Sequence, residues 1–213
     1  MNEKFYDVKT DKQERILNAA IKVFCLNGYK KASTDVIVKE AGISKGLLFH
    51  YFTNKLSLYE FVVNYSIRYM SFEIDNSVSK HERDFFELQL QMEQAKIRVM
   101  KAYPYMQQFL SSLKYETDKE AKSVIGDRVD ILDNIYNSIY KQSDNTKFQD
   151  YVVIQRVVDM IRWMSDGYLK ENLFGNDKID ADALAEEFAK YLKMVKAHFY
   201  KGGMVGVDAD DIK

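Results

Sequence analysis

Residues 33–55 have the sequence STDVIVKEAGISKGLLFHYFTNK, and this stretch decides the fold. Ser33 or Thr34 suits the N-cap of a short helix, and Gly42 suits its end because glycine adopts the left-handed conformation at little cost. Ser44 then caps a second helix that runs to about Phe52. Two short capped helices joined by a glycine turn predict a helix-turn-helix.

The apolar residues of this stretch predict a small joint between the two helices, formed by Ile37, Ala41, Ile43 and Leu48. The other residues of the second helix are left to face outward or toward DNA, namely Lys45, Gly46, Leu47, Phe49, His50 and Tyr51. For Phe49 we favour packing in the core over contact with DNA.

The flanking sequence adds a helix on each side. Apolar residues recur at helical spacing from Ile16 to Phe24, after the candidate capping boxes Thr10-x-x-Gln13 and Asp11-x-x-Glu14, and Gly28 supplies a helix stop. A long helix follows from Lys55 to about residue 76.

Periodicity predicts five more helices and no strand, with Pro104 in the first turn of one helix and Asp180 as the N-cap of another. Their expected ranges are 82–102, 104–116, 118–142, 149–174 and 180–200. The fold class is therefore all-α with about nine helices: a three-helix DNA-binding domain (1–55), a larger helical ligand-sensing and dimerisation domain (56–201), and a disordered tail (202–213).

About a quarter of the chain, residues 11–60, resembles the N-terminal domain of TetR-type transcriptional regulators. The matching features are Ile16-Leu17-x-x-Ala20, Phe24-x-x-x-Gly28-Tyr29, Ile37-x-x-x-Ala41-Gly42-Ile43-Ser44-Lys45-Gly46, Tyr51-Phe52 and Asn54-Lys55. The resemblance implies a homodimer that binds one half-operator per subunit. It also implies a C-terminal domain that changes the separation of the two recognition helices when a small molecule binds.

Resemblance and geometry together assign phosphate contacts to Ser33, Thr34, Tyr51 and Lys55. Lys45, Leu47 and His50 are assigned to base contacts, and Gly46 lets the backbone approach the DNA closely. Two residues depart from the family pattern. Phe49 lacks the tyrosine hydroxyl that the family often has there, and Asp35 would repel phosphate unless it is held away.

Charge and composition agree with a DNA-binding N-terminal region. The chain has a net charge of −1, but residues 1–55 contain ten Lys/Arg and six Asp/Glu, for a net charge of +4. An ordinary solvated basic surface explains the same excess. No apolar run resembles a signal peptide or a membrane span, so we expect a cytoplasmic protein without membrane contact. One cysteine, Cys25, excludes an internal disulfide.

Enzymatic and metal-dependent functions find little support. Residues 42–46 match the G-x-S-x-G pattern of hydrolases, but that mechanism needs a strand before the serine, and residues 36–41 are helical in pattern. His50, His81 and His198 lack metal-ligand spacing. We expect neither a cofactor, nor a metal, nor catalysis.

Aromatic residues are frequent, with fifteen Tyr, thirteen Phe and one Trp. They predict a pocket for a small apolar or aromatic effector, lined by Tyr65, Tyr69, Phe72, Tyr103, Phe109, Tyr136 and Trp163, although packing in the core explains the same residues. Helical stripes predict a four-helix dimer interface that contains Val157, Met164, Gly167, Tyr168, Leu184, Phe188, Tyr191 and Val195, with packing inside one subunit as the alternative.

Two functions of different classes remain open. One is a DNA-binding regulator, expected to be a repressor released from its operator by the effector. The other is a helical adaptor whose basic N-terminal end binds another protein and no specific operator. Salt-sensitive binding to a specific duplex distinguishes them.

Overall fold

The structure, a computed structural model, describes residues 3–175 and 180–202 of the chain. The described part is all-α, as expected, and its only β-type pairing is an isolated bridge between Phe148 and Tyr200. It contains eleven α-helices: α1 (Glu3–Tyr6), α2 (Thr10–Lys31), α3 (Thr34–Ala41), α4 (Lys45–Tyr51), α5 (Lys55–Ser77), α6 (Phe85–Ala102), α7 (Met106–Ser112), α8 (Lys119–Ile125), α9 (Val129–Lys141), α10 (Ile154–Gly175) and α11 (Ala181–Phe199).

The start of the chain differs from the prediction. The N-cap of α2 is Lys9 and no side chain caps the helix, so both predicted capping boxes are wrong. The Gln13 side chain instead donates to the carbonyl oxygens of Tyr6 and Val8, which fastens the short, unpredicted helix α1 to the first turns of α2. Gly28 interrupts α2 with a φ of 64°, which confirms the predicted stop.

Two later elements also differ. The helix predicted over 118–142 is two helices, because Gly126 adopts a φ of 46° between α8 and α9. Pro104 lies before α7, which begins only at Met106, so its predicted place in a first turn is wrong. Asp180 caps α11 as predicted, since its carboxylate accepts a hydrogen bond from the Ala183 backbone N–H. Of the predicted tail, residues 203–213 lie outside the described residues.

The chain forms two compact units. The first contains the residues up to Ser71 together with Val99–Asp133, and rings of Phe24, Tyr59 and Phe109 meet in its core. The second contains Phe72–Arg98 and the residues from Asn134 onward. Its core combines aromatic and aliphatic side chains, among them Phe85, Phe86, Phe148, Val157, Ile161, Phe188 and Leu192. The functional boundary expected at residue 55 stays a prediction.

Candidate nucleic-acid interface

The segment from Ser33 to Phe52 folds as its sequence predicts. Ser33 Oγ accepts a hydrogen bond of 3.2 Å from the Asp35 N–H, and Ser44 Oγ accepts one of 3.2 Å from the Leu47 N–H. Gly42 ends α3 in the left-handed conformation, with φ 64° and ψ 42°. A Cβ at this position would lie 3.2 Å from Nη1 of Arg15 on α2, which is the end of a flexible side chain, so the left-handed conformation is what favours glycine.

The predicted apolar joint is present. Ile37, Ala41 and Leu48 are fully buried and Ile43 is half-buried, so α4 packs against α3, and α3 packs against α2. Lys45, Gly46 and His50 are exposed, and Leu47 is half-buried. A Cβ at Gly46 would meet no described atom within 4 Å, so the first turn of α4 leaves its backbone open to a ligand.

Phe49 corrects the interpretation from sequence. Its side chain is 38% exposed on α4, whereas a core role was expected. Val36 on α3 is 46% exposed as well. Apolar side chains in these places can contact thymine methyl groups in a major groove.

Asp35 and Lys45 form an ion pair between the first turns of α3 and α4. Lys45 Nζ lies 2.8 Å from Oδ1 and 3.1 Å from Oδ2 of Asp35. The pair therefore places one cation and one anion together on the exposed surface of the helix-turn-helix.

Lys55 is engaged inside the chain, which argues against the phosphate contact expected from the sequence. Its ammonium donates to the carbonyl oxygens of Tyr29 at 2.7 Å, Ala32 at 3.1 Å and Lys30 at 3.3 Å. It also lies 4.4 Å from the centre of the Tyr29 ring. An ammonium has three N–H donors, and all three are engaged with the C-terminal end of α2. No sequence pattern signalled this contact, because it joins residues 23–26 positions apart.

A row of aromatic rings in contact begins at the end of α4 and continues along α5. Phe5 of α1 is 1% exposed, and its ring lies 5.7 Å from Tyr51, 5.2 Å from Phe52 and 5.1 Å from Phe61. The row continues along α5 from Phe61 to Tyr65 at 6.3 Å. We call Phe5, Phe52, Phe61, Tyr65 and Tyr69 the aromatic row.

The far end of the aromatic row is a cluster of three tyrosines. Tyr65 and Tyr69 stack at 5.9 Å, and Tyr103 of α6 meets their rings at 5.7 and 5.1 Å. The hydroxyl oxygens of Tyr65 and Tyr103 are 2.6 Å apart. Burial and this hydrogen bond raise the pKa of Tyr103, so its hydroxyl stays protonated at neutral pH.

The other predicted effector residues are not part of this cluster. Phe109 packs in the core of the first unit, with its ring 6.0 Å from Tyr59. The ammonium of Lys96 lies over the ring of Tyr136, 5.5 Å from its centre. Phe72 and Trp163 are 62% and 67% exposed, so these two cannot line an internal pocket.

The predicted dimer residues divide into two groups. Val157, Leu184 and Phe188 are buried within their own subunit, which favours for these three the alternative of packing inside one subunit. Exposed or half-buried apolar residues instead form a stripe on α10 and α11. We call it the α10–α11 stripe, and it contains Trp163, Met164, Gly167, Tyr168, Tyr191, Met194 and Val195. A ring contact of 5.9 Å between Tyr168 and Tyr191 joins its two helices.

The second unit contains a buried polar network that the sequence analysis did not predict. Glu93 accepts hydrogen bonds from Gln89 at 2.7 Å, from Lys96 at 2.9 Å and from Ser165 at 3.0 Å. Tyr140 donates to Gln89 at 2.5 Å. Burial opposes the charge on Lys96, but the Glu93 carboxylate outweighs it and raises the pKa of Lys96. The network satisfies its own buried charges.

The described residues give no support to the alternative chemistries. α3, a helix, precedes Ser44 where a hydrolase needs a strand. Among residues 3–175 and 180–202, no three His, Cys, Asp or Glu side chains are grouped to hold a metal ion. In the same ranges, no helix has the length and apolar composition that crossing a bilayer requires.

Comparison with known proteins decides the family. The family model described as "Bacterial regulatory proteins, tetR family" matches residues 16–62, the segment from α2 into α5. The N-terminal part of the chain, residues 16–62, is therefore that of a TetR-family transcriptional regulator. Members of this family are not enzymes, and they bind operator DNA, typically as dimers.

Individual relatives agree with this assignment. The chain is 22% identical to the uncharacterized HTH-type transcriptional regulator YfiR of Bacillus subtilis, over 88% of this chain and 93% of that one. It is 46% identical over 44 residues to the uncharacterized HTH-type transcriptional regulator YxaF of the same species, over 21% of this chain and 23% of that one. The fold also matches a putative tetR family regulator from Shewanella, with a TM-score of 0.54 and 21% identity, over 91% of this chain and all of that one.

Proposed function

We propose that this TetR-family regulator is a cytoplasmic homodimeric repressor that a small apolar or aromatic effector releases from its operator. The observation that supports the proposal best is the aromatic row, which is continuous from the end of α4 to Tyr69. A ligand that moves Tyr65 or Tyr69 would move α5, and α5 follows α4 after three residues. In this proposal residues 1–55 bind DNA, and residues 56–201 sense the effector and dimerise.

The proposed DNA contacts come from the exposed surface of α3 and α4. Ser33, Thr34 and Tyr51 bind phosphates, and Lys45, Leu47 and His50 contact base edges. Phe49 joins this set because it is exposed. Gly46 allows close approach, since a Cβ there would meet no described atom within 4 Å. Lys55 leaves the set, because its three donors are engaged with carbonyl oxygens.

The proposed dimer interface is the α10–α11 stripe. Trp163 is 67% exposed, Met194 48% and Tyr191 37%, and large apolar side chains so placed are typical of an interface. Gly167 lies in the same stripe and is exposed, which lets a partner helix approach closely. Two helices from each subunit would form a four-helix interface.

Release requires that the effector lowers the affinity for the operator and that the operator lowers the affinity for the effector. The two recognition helices of a dimer must lie about 34–36 Å apart to enter successive major grooves, so a tilt of α5 that changes this spacing weakens binding without touching DNA. By thermodynamic linkage, the operator must weaken effector binding by the same factor by which the effector weakens operator binding, typically about 5–150-fold.

Calorimetry tests the proposal. Apolar and aromatic compounds are first screened for those that raise the unfolding temperature, and the affinity of each is then measured with and without saturating operator. We expect operator to weaken binding by at least about fivefold. Equal affinities would refute the release mechanism. The variant Tyr103→Phe, which removes the hydroxyl bonded to Tyr65, serves as a probe of the tyrosine cluster.

A further inference from the structure

The ion pair of Asp35 and Lys45 places a hydrogen-bond acceptor beside a donor on the exposed face of the helix-turn-helix. The carboxylate is bidentate, with distances of 2.8 and 3.1 Å to the ammonium. The side chains are 69% and 51% exposed, so DNA can reach both. An acidic residue in such a place works against phosphate binding, and the pair therefore needs an explanation other than backbone affinity.

The two groups have complementary chemistry. The ammonium of Lys45 only donates hydrogen bonds, and the ionised carboxylate of Asp35 only accepts them. In the major groove a G·C pair presents the acceptors N7 and O6 of guanine beside the N4 donor of cytosine. An A·T pair presents a single purine acceptor beside the N6 donor, and that donor repels an ammonium.

We propose that Asp35 and Lys45 together recognise one G·C base pair in each half-operator, with Lys45 donating to guanine and Asp35 accepting from cytosine N4. The inference rests on the proposed DNA contacts of α3 and α4. Asp35, which sequence reasoning left as an unfavourable charge, becomes a residue that determines specificity.

Asp35 also penalises wrong sequences. When Lys45 turns toward a base, the carboxylate loses its partner and must find a donor on the DNA. At any site without one it faces acceptors such as thymine O4, and an unpaired charge in a closed interface is costly. On non-specific DNA the carboxylate keeps Lys45 neutralised, which weakens contact with phosphate.

The chain provides a matched control on the same helix. Glu40 at the other end of α3 is paired with Lys22 of α2, and the ammonium lies 3.0 and 3.1 Å from the two carboxylate oxygens. Glu40→Ala and Asp35→Ala therefore remove the same charge and the same kind of ion pair from one helix. Only Asp35 is paired with a residue of the recognition helix α4.

The experiment is selection from a library of random duplexes, performed with the full-length wild-type protein and with Asp35→Ala, Lys45→Ala and Glu40→Ala. Bound duplexes are sequenced, and the unfolding temperature of each variant is measured. Asp35→Asn, which keeps the size of the side chain, provides a second test of the same position.

We expect the wild type to enrich a two-fold symmetric motif with a G·C pair at one position of each half. Asp35→Ala and Lys45→Ala should reduce the preference at that same position by about fivefold or more, while Glu40→Ala keeps it. The inference is overturned if Asp35→Ala retains the wild-type motif, or if it and Lys45→Ala affect different positions. A wild-type protein that enriches no motif would refute the proposed function as well, so the two failures are distinguishable.

Discussion

The ammonium of Lys55 lies 2.7 Å from the carbonyl oxygen of Tyr29 and 4.4 Å from the centre of its ring. Lys55 is the first residue of α5 and Tyr29 belongs to the last turn of α2. The contact therefore joins the helix that follows the recognition helix to the helix on which α3 packs. Lys55 therefore helps to position α5 against α2, the helix that supports the helix-turn-helix.

Lys55→Met should lower the free energy of unfolding by about 1–3 kcal/mol, because it leaves three carbonyl oxygens without their charged donor. Lys45→Ala is the control, since an exposed ion pair contributes only about 0–1 kcal/mol. Urea unfolding of both variants measures the difference. Unchanged stability in Lys55→Met, with equally weakened binding to every duplex, would restore the phosphate role expected from sequence.

Phe49→Ala should change stability by about 1 kcal/mol or less, because the side chain is 38% exposed. Truncation of a core phenylalanine costs about 3–5 kcal/mol instead. Operator affinity should fall, since the ring is available to DNA. Thermal unfolding and fluorescence anisotropy on the selected duplex measure the two effects. A large loss of stability would support the core role that the sequence suggested.

Phe5→Ala should destabilise the DNA-binding unit and lower operator affinity, because the ring is 1% exposed and touches Tyr51, Phe52 and Phe61. We expect a loss of about 3–5 kcal/mol. Tyr6→Ala is the control on the same helix, since Tyr6 is 48% exposed. If both variants unfold at the same temperature, α1 does not support the recognition helix.

Trp163→Asp should shift the protein toward monomer, because a charge in the proposed apolar interface would lose its hydration without gaining a partner. Tyr151→Asp is the control, because Tyr151 is equally exposed, at 67%, and lies outside the α10–α11 stripe. Sedimentation velocity distinguishes monomer from dimer. A Trp163→Asp protein that sediments like the control would locate the interface elsewhere.

Local signals in the sequence predicted the helix-turn-helix well. The contacts that make Ser33 and Ser44 helix caps reach no more than three residues along the chain, and the left-handed turn depends on Gly42 itself. Both caps and the turn are present as predicted. The pattern of Ile37, Ala41 and Leu48 likewise identified the buried joint, because the apolar periodicity of a helix can be recognised from the sequence of that helix alone.

Contacts between distant residues could not be predicted in this way. Lys55 has the charge of a phosphate ligand, and only the fold brings it to the end of α2. Phe188 and Trp163 are both large and apolar in helical stripes, yet one is 4% exposed and the other 67%. Periodicity identifies the apolar face of a helix, but it does not tell which part of that face its own subunit covers.

The most direct test of the account is recovery of genomic fragments by the purified protein over a series of salt concentrations. We predict a small set of fragments that share a two-fold symmetric sequence, with half-sites about 10–10.5 base pairs apart or a multiple of that spacing. Their log affinity should fall linearly with log salt, because the excess cations of the +4 segment at residues 1–55 displace counterions. Recovery of no shared sequence, or binding that does not respond to salt, would contradict operator recognition by α3 and α4 and favour a helical adaptor that binds another protein.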